Sequence, residues 1–141
     1  MAILGYARPD GQRGIRNKVS IIYTVDCSRF VAQKLRQMFP EFTQLFGFPG
    51  GCAYQEGAFR KLVALGNHSS SAGAVVLGLG CEGTDAHRIA AGIAATGRPA
   101  EAVKINEAGG DIATLEKASR LLVNMIQHAS TAERVEMAPA D

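Results

Sequence analysis

At 141 residues the chain is long enough for one domain with a buried core. An apolar fraction of 47%, a charged fraction of 20%, a net charge of +2 and no Trp argue against nucleic acid or anionic lipid as its main partner. No apolar run approaches the length of a membrane span and no basic leader with an apolar core opens the chain, so a cytoplasmic protein outside the membrane is expected.

In chain order, residues 1–17 read as an ordered opening loop, rich in Gly, Arg and turn formers. Lys18 to Val25 is a β-branched run of strand length, and Asp26-Cys27-Ser28 is a turn with good N-cap residues. The segment from Arg29 to Phe39 sets Val31, Leu35 and Met38 at helical spacing, and Pro40 closes it. A second unit repeats the plan with a strand from Thr43 to Phe48, the turn Pro49-Gly50-Gly51-Cys52 and a helix from Gly57 to Leu65.

The third unit runs from Ala72 to Gly80 as a strand buried on both faces, with Cys81 at its end. Thr84 or Asp85 then caps a helix from Ala86 to Thr96. A fourth strand, Glu101 to Asn106, leads through the turn Glu107-Ala108-Gly109-Gly110 to a helix from Asp111, with Ile112, Leu115, Leu122, Met125 and Ile126 expected inward. Residues 131–141 turn polar and are expected to fray.

Strands alternating with helices predict βαβ units. The expected fold is therefore α/β, a Rossmann-like three-layer domain over residues 18–130 with a mainly parallel sheet of about four or more strands. Such sheets bind ligands at the carboxyl ends of their strands, near a topological switch point.

Cys27, Cys52 and Cys81 fall 25 and 29 residues apart, one per βα unit, each just past a predicted strand. An odd number of cysteines argues against a disulfide framework. Adjacent strand tips lie about 4.8 Å apart, so the three thiols can meet over one metal or cluster, and a following helix N-terminus favours thiolate. Buried packing is the competing reading, because Cys commonly fills small core gaps.

Glu82, next to Cys81, reads as a base, a metal ligand or a group that steadies one; as a helix-start acid it can equally complement the dipole. Arg8, Arg13 and Arg16, with Asn17, offer guanidinium groups for an acidic substrate or form a solvated face. The turns holding Gly50, Gly51, Gly109 and Gly110 present backbone N–H groups to a carboxylate or phosphate, or merely permit tight turns. His87 is expected on an exposed helix face and His68 and His128 at helix ends, with no CxxC or HExxH spacing for zinc.

Four stretches in order carry a resemblance: GYARPDGQRGIRN with YTVDC, GFPGGC, GLGCE, and GRPAEAVKINEAGG. Together, over roughly residues 4 to 126, they resemble the altronate/galactarate dehydratase family, to which the large subunit of sulfolactate sulfo-lyase is related. The resemblance implies a metal-dependent hydro-lyase that dehydrates a sugar acid to a 2-keto-3-deoxy acid. It implies iron, as mononuclear Fe2+ or an iron–sulfur cluster, or another divalent metal, on Cys27, Cys52 and Cys81. Glu82 is then the candidate catalytic base and the opening-loop arginines the carboxylate clamp. Some relatives carry a His shortly before the second Cys, where this chain has Phe48 and Pro49. Family enzymes are also longer, so the chain resembles their middle domain, and partner domains or subunits and a homo-oligomer are expected. The alternative from another class is a non-catalytic α/β domain that binds a small anion or serves assembly, with structural cysteines.

Overall fold

The computed structural model describes residues 2–140. Four strands, β3 (Lys18–Tyr23), β4 (Thr43–Gly47), β5 (Ser71–Gly78) and β6 (Ala100–Lys104), form one sheet in the order β4-β3-β5-β6. Every neighbouring pair is parallel, with Ile21 opposite Leu45 and Val75 and with Val76 opposite Ala102. The α/β three-layer expectation is therefore correct. The chain runs from β3 outward to β4 and then back across to β5, so the switch point lies between the ends of β3 and β5.

Strand alternation assigns the two faces. Val19, Ile21, Val75, Leu77 and Val103 point to one side, against α1 (Arg29–Met38) and α5 (Asp111–Ser130). Ile22, Ala74 and Val76 point to the other, against α2 (Glu56–Gly66) and α3 (Ala86–Ala94). A sheet covered on both faces needs strands apolar at successive positions, which is why β5 reads as an unbroken hydrophobic run. The fully buried side chains Ile21, Ile22, Leu35, Leu77, Ile89, Ile93 and Leu122 each contribute about 1.5–3 kcal/mol on leaving water. Helix α5 buries Thr114, Ala118, Leu122 and Met125, whereas Ile112, expected inward, stands exposed in its first turn.

Two expectations at the ends of the chain are corrected. Within the stretch read as a loop, β1 (Ile3–Ala7) and β2 (Arg13–Gly14) form a short antiparallel hairpin, Tyr6 opposite Gly14. Within the stretch expected to fray, β7 (Val135–Met137) pairs antiparallel with β1, Leu4 opposite Glu136. The order is β2-β1-β7, so the tail is ordered by a partner strand over a hundred residues away in sequence.

The hairpin lies at the amino ends of the main strands. Gly14 packs so closely on the backbone of Ser69 that a Cβ there would collide with its carbonyl. Arg8 donates to the Ser69 carbonyl at 2.8 Å, and Asn17 donates to the Ala129 carbonyl at 2.7 Å.

Candidate functional site

The three cysteines all lie at the carboxyl edge of the sheet, and all three are exposed. The packing reading therefore does not describe their environment. Cys27 sits in a single 3-10 turn, Asp26–Ser28, directly before α1. Cys52 lies in the loop between β4 and α2, and Cys81 in the loop between β5 and α3. The helices start at Glu56 and Ala86, within one residue of the expected positions, and several loop residues separate them from Cys52 and Cys81, so only Cys27 directly abuts a helix N-terminus. The Cys52 thiol is held above the ordinary thiol range, chiefly by the neighbouring Cys81 thiol, with Cys27 and the Glu82 carboxylate adding to the effect. The direction is opposite to a dipole-activated thiolate.

Hydrogen bonds tie these loops to one another. Buried Ser28 donates its hydroxyl to the carbonyls of Val25 and Leu77 at 2.9 and 3.1 Å, and Thr24 N–H donates to the Leu77 carbonyl at 3.0 Å. Gly83 N–H donates to the Cys52 carbonyl at 2.7 Å, joining the second and third cysteine loops. Tyr54 packs on Gly83, and the Arg88 guanidinium lies over the rings of Tyr54 and Phe59 at 5.9 and 5.2 Å.

Glu82 is the centre of this edge. Its buried carboxylate accepts from the Thr24 hydroxyl at 2.7 Å, from Leu79 N–H at 3.1 Å and from Gly80 N–H at 2.7 Å. A Cβ at Gly78 would strike the same carboxylate, and Gly80 holds φ at +130°, so glycine at both positions lets the turn wrap the acid. In this geometry Glu82 braces the turn that carries Cys81 and links it to the end of β3.

A charged cluster that sequence reasoning missed lies alongside. Lys104, at the end of β6, forms an ion pair with Asp85 and lies 3.8 Å from Glu107, which in turn pairs with His87 at 3.1 Å. Partial burial opposes charge on Asp85, but the hydrogen bond and charge of Lys104 outweigh it and hold the carboxyl below its usual range. The signal available in the sequence was the cap position of Asp85, which does accept from Arg88 N–H at 3.0 Å.

The structure separates the remaining sequence candidates into two groups. Gly50 and Gly51 lie in the Cys52 loop; Gly109 and Gly110 join the short α4 (Ile105–Ala108) to α5, also past a strand end. Arg8, Arg13, Arg16 and Asn17 do not reach this edge, because they precede β3 and lie at its amino end. A six-residue strand at about 3.3 Å per residue puts roughly 20 Å between them and the thiols. Arg8 is buried and donates to Asn17 Oδ1 and the Arg16 carbonyl at 2.8 and 2.7 Å, while Arg13 donates to the Glu136 carbonyl at 3.0 Å.

Residues 5–130 match the family model described as "D-galactarate dehydratase/Altronate hydrolase, second domain". The chain belongs to this family, as its second domain. It is 34% identical over 136 residues to the (2R)-sulfolactate sulfo-lyase subunit beta of Chromohalobacter salexigens, an alignment covering 93% of this chain and 34% of the relative. It is 31% identical over 98 residues to the altronate dehydratase of Bacillus subtilis, covering 60% of this chain and 20% of the relative. The second domain thus spans about a third or less of these curated relatives. No helix among the described residues is long and apolar enough to cross a membrane.

The fit of a metal to this edge rests on its donors. Among the described residues no three or more His, Cys, Asp or Glu side chains are already grouped to hold an ion. The donor set is nonetheless three exposed soft sulfurs at one edge, and the buried hydroxyl of Thr84, in the Cys81 loop, has no hydrogen-bond partner among the described residues. Thiolates are soft donors of the kind that hold iron–sulfur clusters, zinc or copper.

Proposed function

We propose that this chain is the thiol-bearing domain of a metal-dependent lyase that removes water from a sugar acid of the altronate or galactarate kind, giving a 2-keto-3-deoxy acid. The observation that carries the reading is the placement of Cys27, Cys52 and Cys81 on loops at the same carboxyl edge of the sheet, in a family second domain whose relatives are named a sulfo-lyase subunit and a dehydratase. A dehydratase and a sulfo-lyase share one logic. A proton leaves the carbon beside a carboxylate while a group departs from the next carbon.

Cys27, Cys52 and Cys81 are the residues that would hold iron, either a single ion or a cluster with one position open to substrate. When bound, it supplies Lewis acidity to the carboxylate and the departing hydroxyl. Glu82 serves this edge best as a brace, since three donors already occupy its carboxylate. The proton acceptor and the carboxylate clamp then come from further domains or subunits of the working enzyme. The Gly50-Gly51 and Gly109-Gly110 loops let substrate approach the backbone at the same edge.

The test has two arms. The chain is expressed anaerobically and its iron, acid-labile sulfide and visible absorption are measured, alone and with Cys27→Ser, Cys52→Ser and Cys81→Ser. It is also assayed with its complementing domains on altronate and galactarate. Iron lost with each serine variant, and activity only in the completed enzyme, are the expected results. An iron-free, colourless chain indifferent to all three substitutions removes the metal reading. Full activity without the thiols removes the site, and leaves an anion-binding or assembly domain.

A further inference from the structure

The amino edge of the sheet carries buried charge for which the thiol edge has no use. Arg98 has a fully buried side chain that pairs with Asp10 at 2.6 Å and donates to the Ser71 carbonyl at 3.1 Å and the Thr96 hydroxyl at 3.0 Å. Its Nη2 has no hydrogen-bond partner among the described residues. Arg8, also buried, donates among the described residues to neutral acceptors, namely the Ser69 and Arg16 carbonyls and the Asn17 amide oxygen. Burial first, and the charge of Arg98 second, weaken its hold on its proton, with Tyr6 and Asp10 opposing. Two buried guanidinium groups thus face a single carboxylate, that of the solvent-reached Asp10, and burying a cation is costly without a counter-ion.

A cavity of about 280 Å³ opens beside them, lined in part by Arg8, Asn17, Gly97, Pro99, His128 and Ala132. Gly97 and Pro99 flank Arg98 in the chain, and no Asp or Glu is among the lining residues. The volume suits a molecule of a few heavy atoms, and the polar lining is cationic or hydrogen-bonding throughout.

We propose that this cavity is a binding site for a small oxyanion, a carboxylate or a phosphate, with Arg8 as its cation and Asn17 and His128 beside it. Guanidinium recognises both anions through paired N–H groups, so their shared chemistry is what the site reads. The site lies a strand length from the thiols and stands whether or not the lyase reading holds.

The experiment is calorimetric titration of the full chain with inorganic phosphate and, separately, malonate, in about 150 mM NaCl so that surface charge is screened. Amide shifts at Asn17, Gly97 and His128 are followed by NMR in the same series. Saturable binding of either probe is expected, with the shifts confined to the cavity lining, and the stronger probe names the anion. Arg8→Gln is expected to weaken binding by about tenfold or more. Ala132→Trp fills the exposed rim while leaving every charge in place, so it tests the site even if Arg8→Gln fails to fold. No saturable binding of either probe, or binding that Ala132→Trp leaves unchanged, overturns the proposal.

Discussion

Thr24 and Glu82, 58 residues apart in sequence, meet in a 2.7 Å hydrogen bond that spans the ends of β3 and β5. The contact joins the turn carrying Cys27 to the turn carrying Cys81 at the point where the chain reverses its direction across the sheet.

Replacing Glu82 by Gln keeps its size but turns one acceptor into a donor facing N–H and O–H groups. A loss of about 1–3 kcal/mol is expected from the donors left unpaired, and about 1 kcal/mol for Thr24→Val. Urea unfolding of both single variants and the double variant should show coupling. Strict additivity would mean that the bond does not bridge the two turns.

Acid should weaken the Asp85–Lys104 pair in a defined direction. The folded-state carboxyl titrates below its unfolded value, so its contribution is complete above the ordinary carboxylate range and is lost as pH falls through the lowered value. Asn at position 85 keeps the cap to Arg88 N–H but not the charge. Stability measured between about pH 5 and pH 2 should therefore fall less steeply for Asp85→Asn than for the parent chain.

Asp10→Asn should cost far more than a surface substitution. It takes the carboxylate from a fully buried Arg98, and breaking a buried pair from one side costs about 3–5 kcal/mol. Urea unfolding at pH 7 reads this directly, and a loss under about 1 kcal/mol would place Arg98 in contact with water.

Removing β7 should loosen β1 and little else. Amide exchange at Ile3 and Gly5, whose register partners are Met137 and Val135, should rise by at least about tenfold on deletion of residues 134–141. The amides of Ile21 and Val75 in the main sheet should be unaffected.

The parallel sheet was legible because buried strands such as Ala74-Val75-Val76-Leu77 are apolar on both faces, and because each is followed by an amphipathic stretch. The edge occupied by the cysteines followed from the same pattern. The hairpin and β7 were not legible. Strands of two, three and five residues carry too little periodicity, and the pairing of Leu4 with Glu136 is a contact that no local window contains. The placement of Arg16 and Asn17 was readable in principle. Residues just before a parallel strand lie at its amino end, opposite those just after it, so they could not share an edge with Cys27. The clamping of Glu82 depends on two turns closing together, and nothing near Glu82 in the sequence announces Thr24 as its partner.

The ties from Ser28 to Leu77, from Thr24 to Glu82 and from Gly83 to the Cys52 carbonyl are all protein-to-protein bonds. These bonds meet part of the ordering entropy of the three thiol loops. A ligand arriving at this edge meets loops already tied to one another, which lowers the ordering cost of its binding.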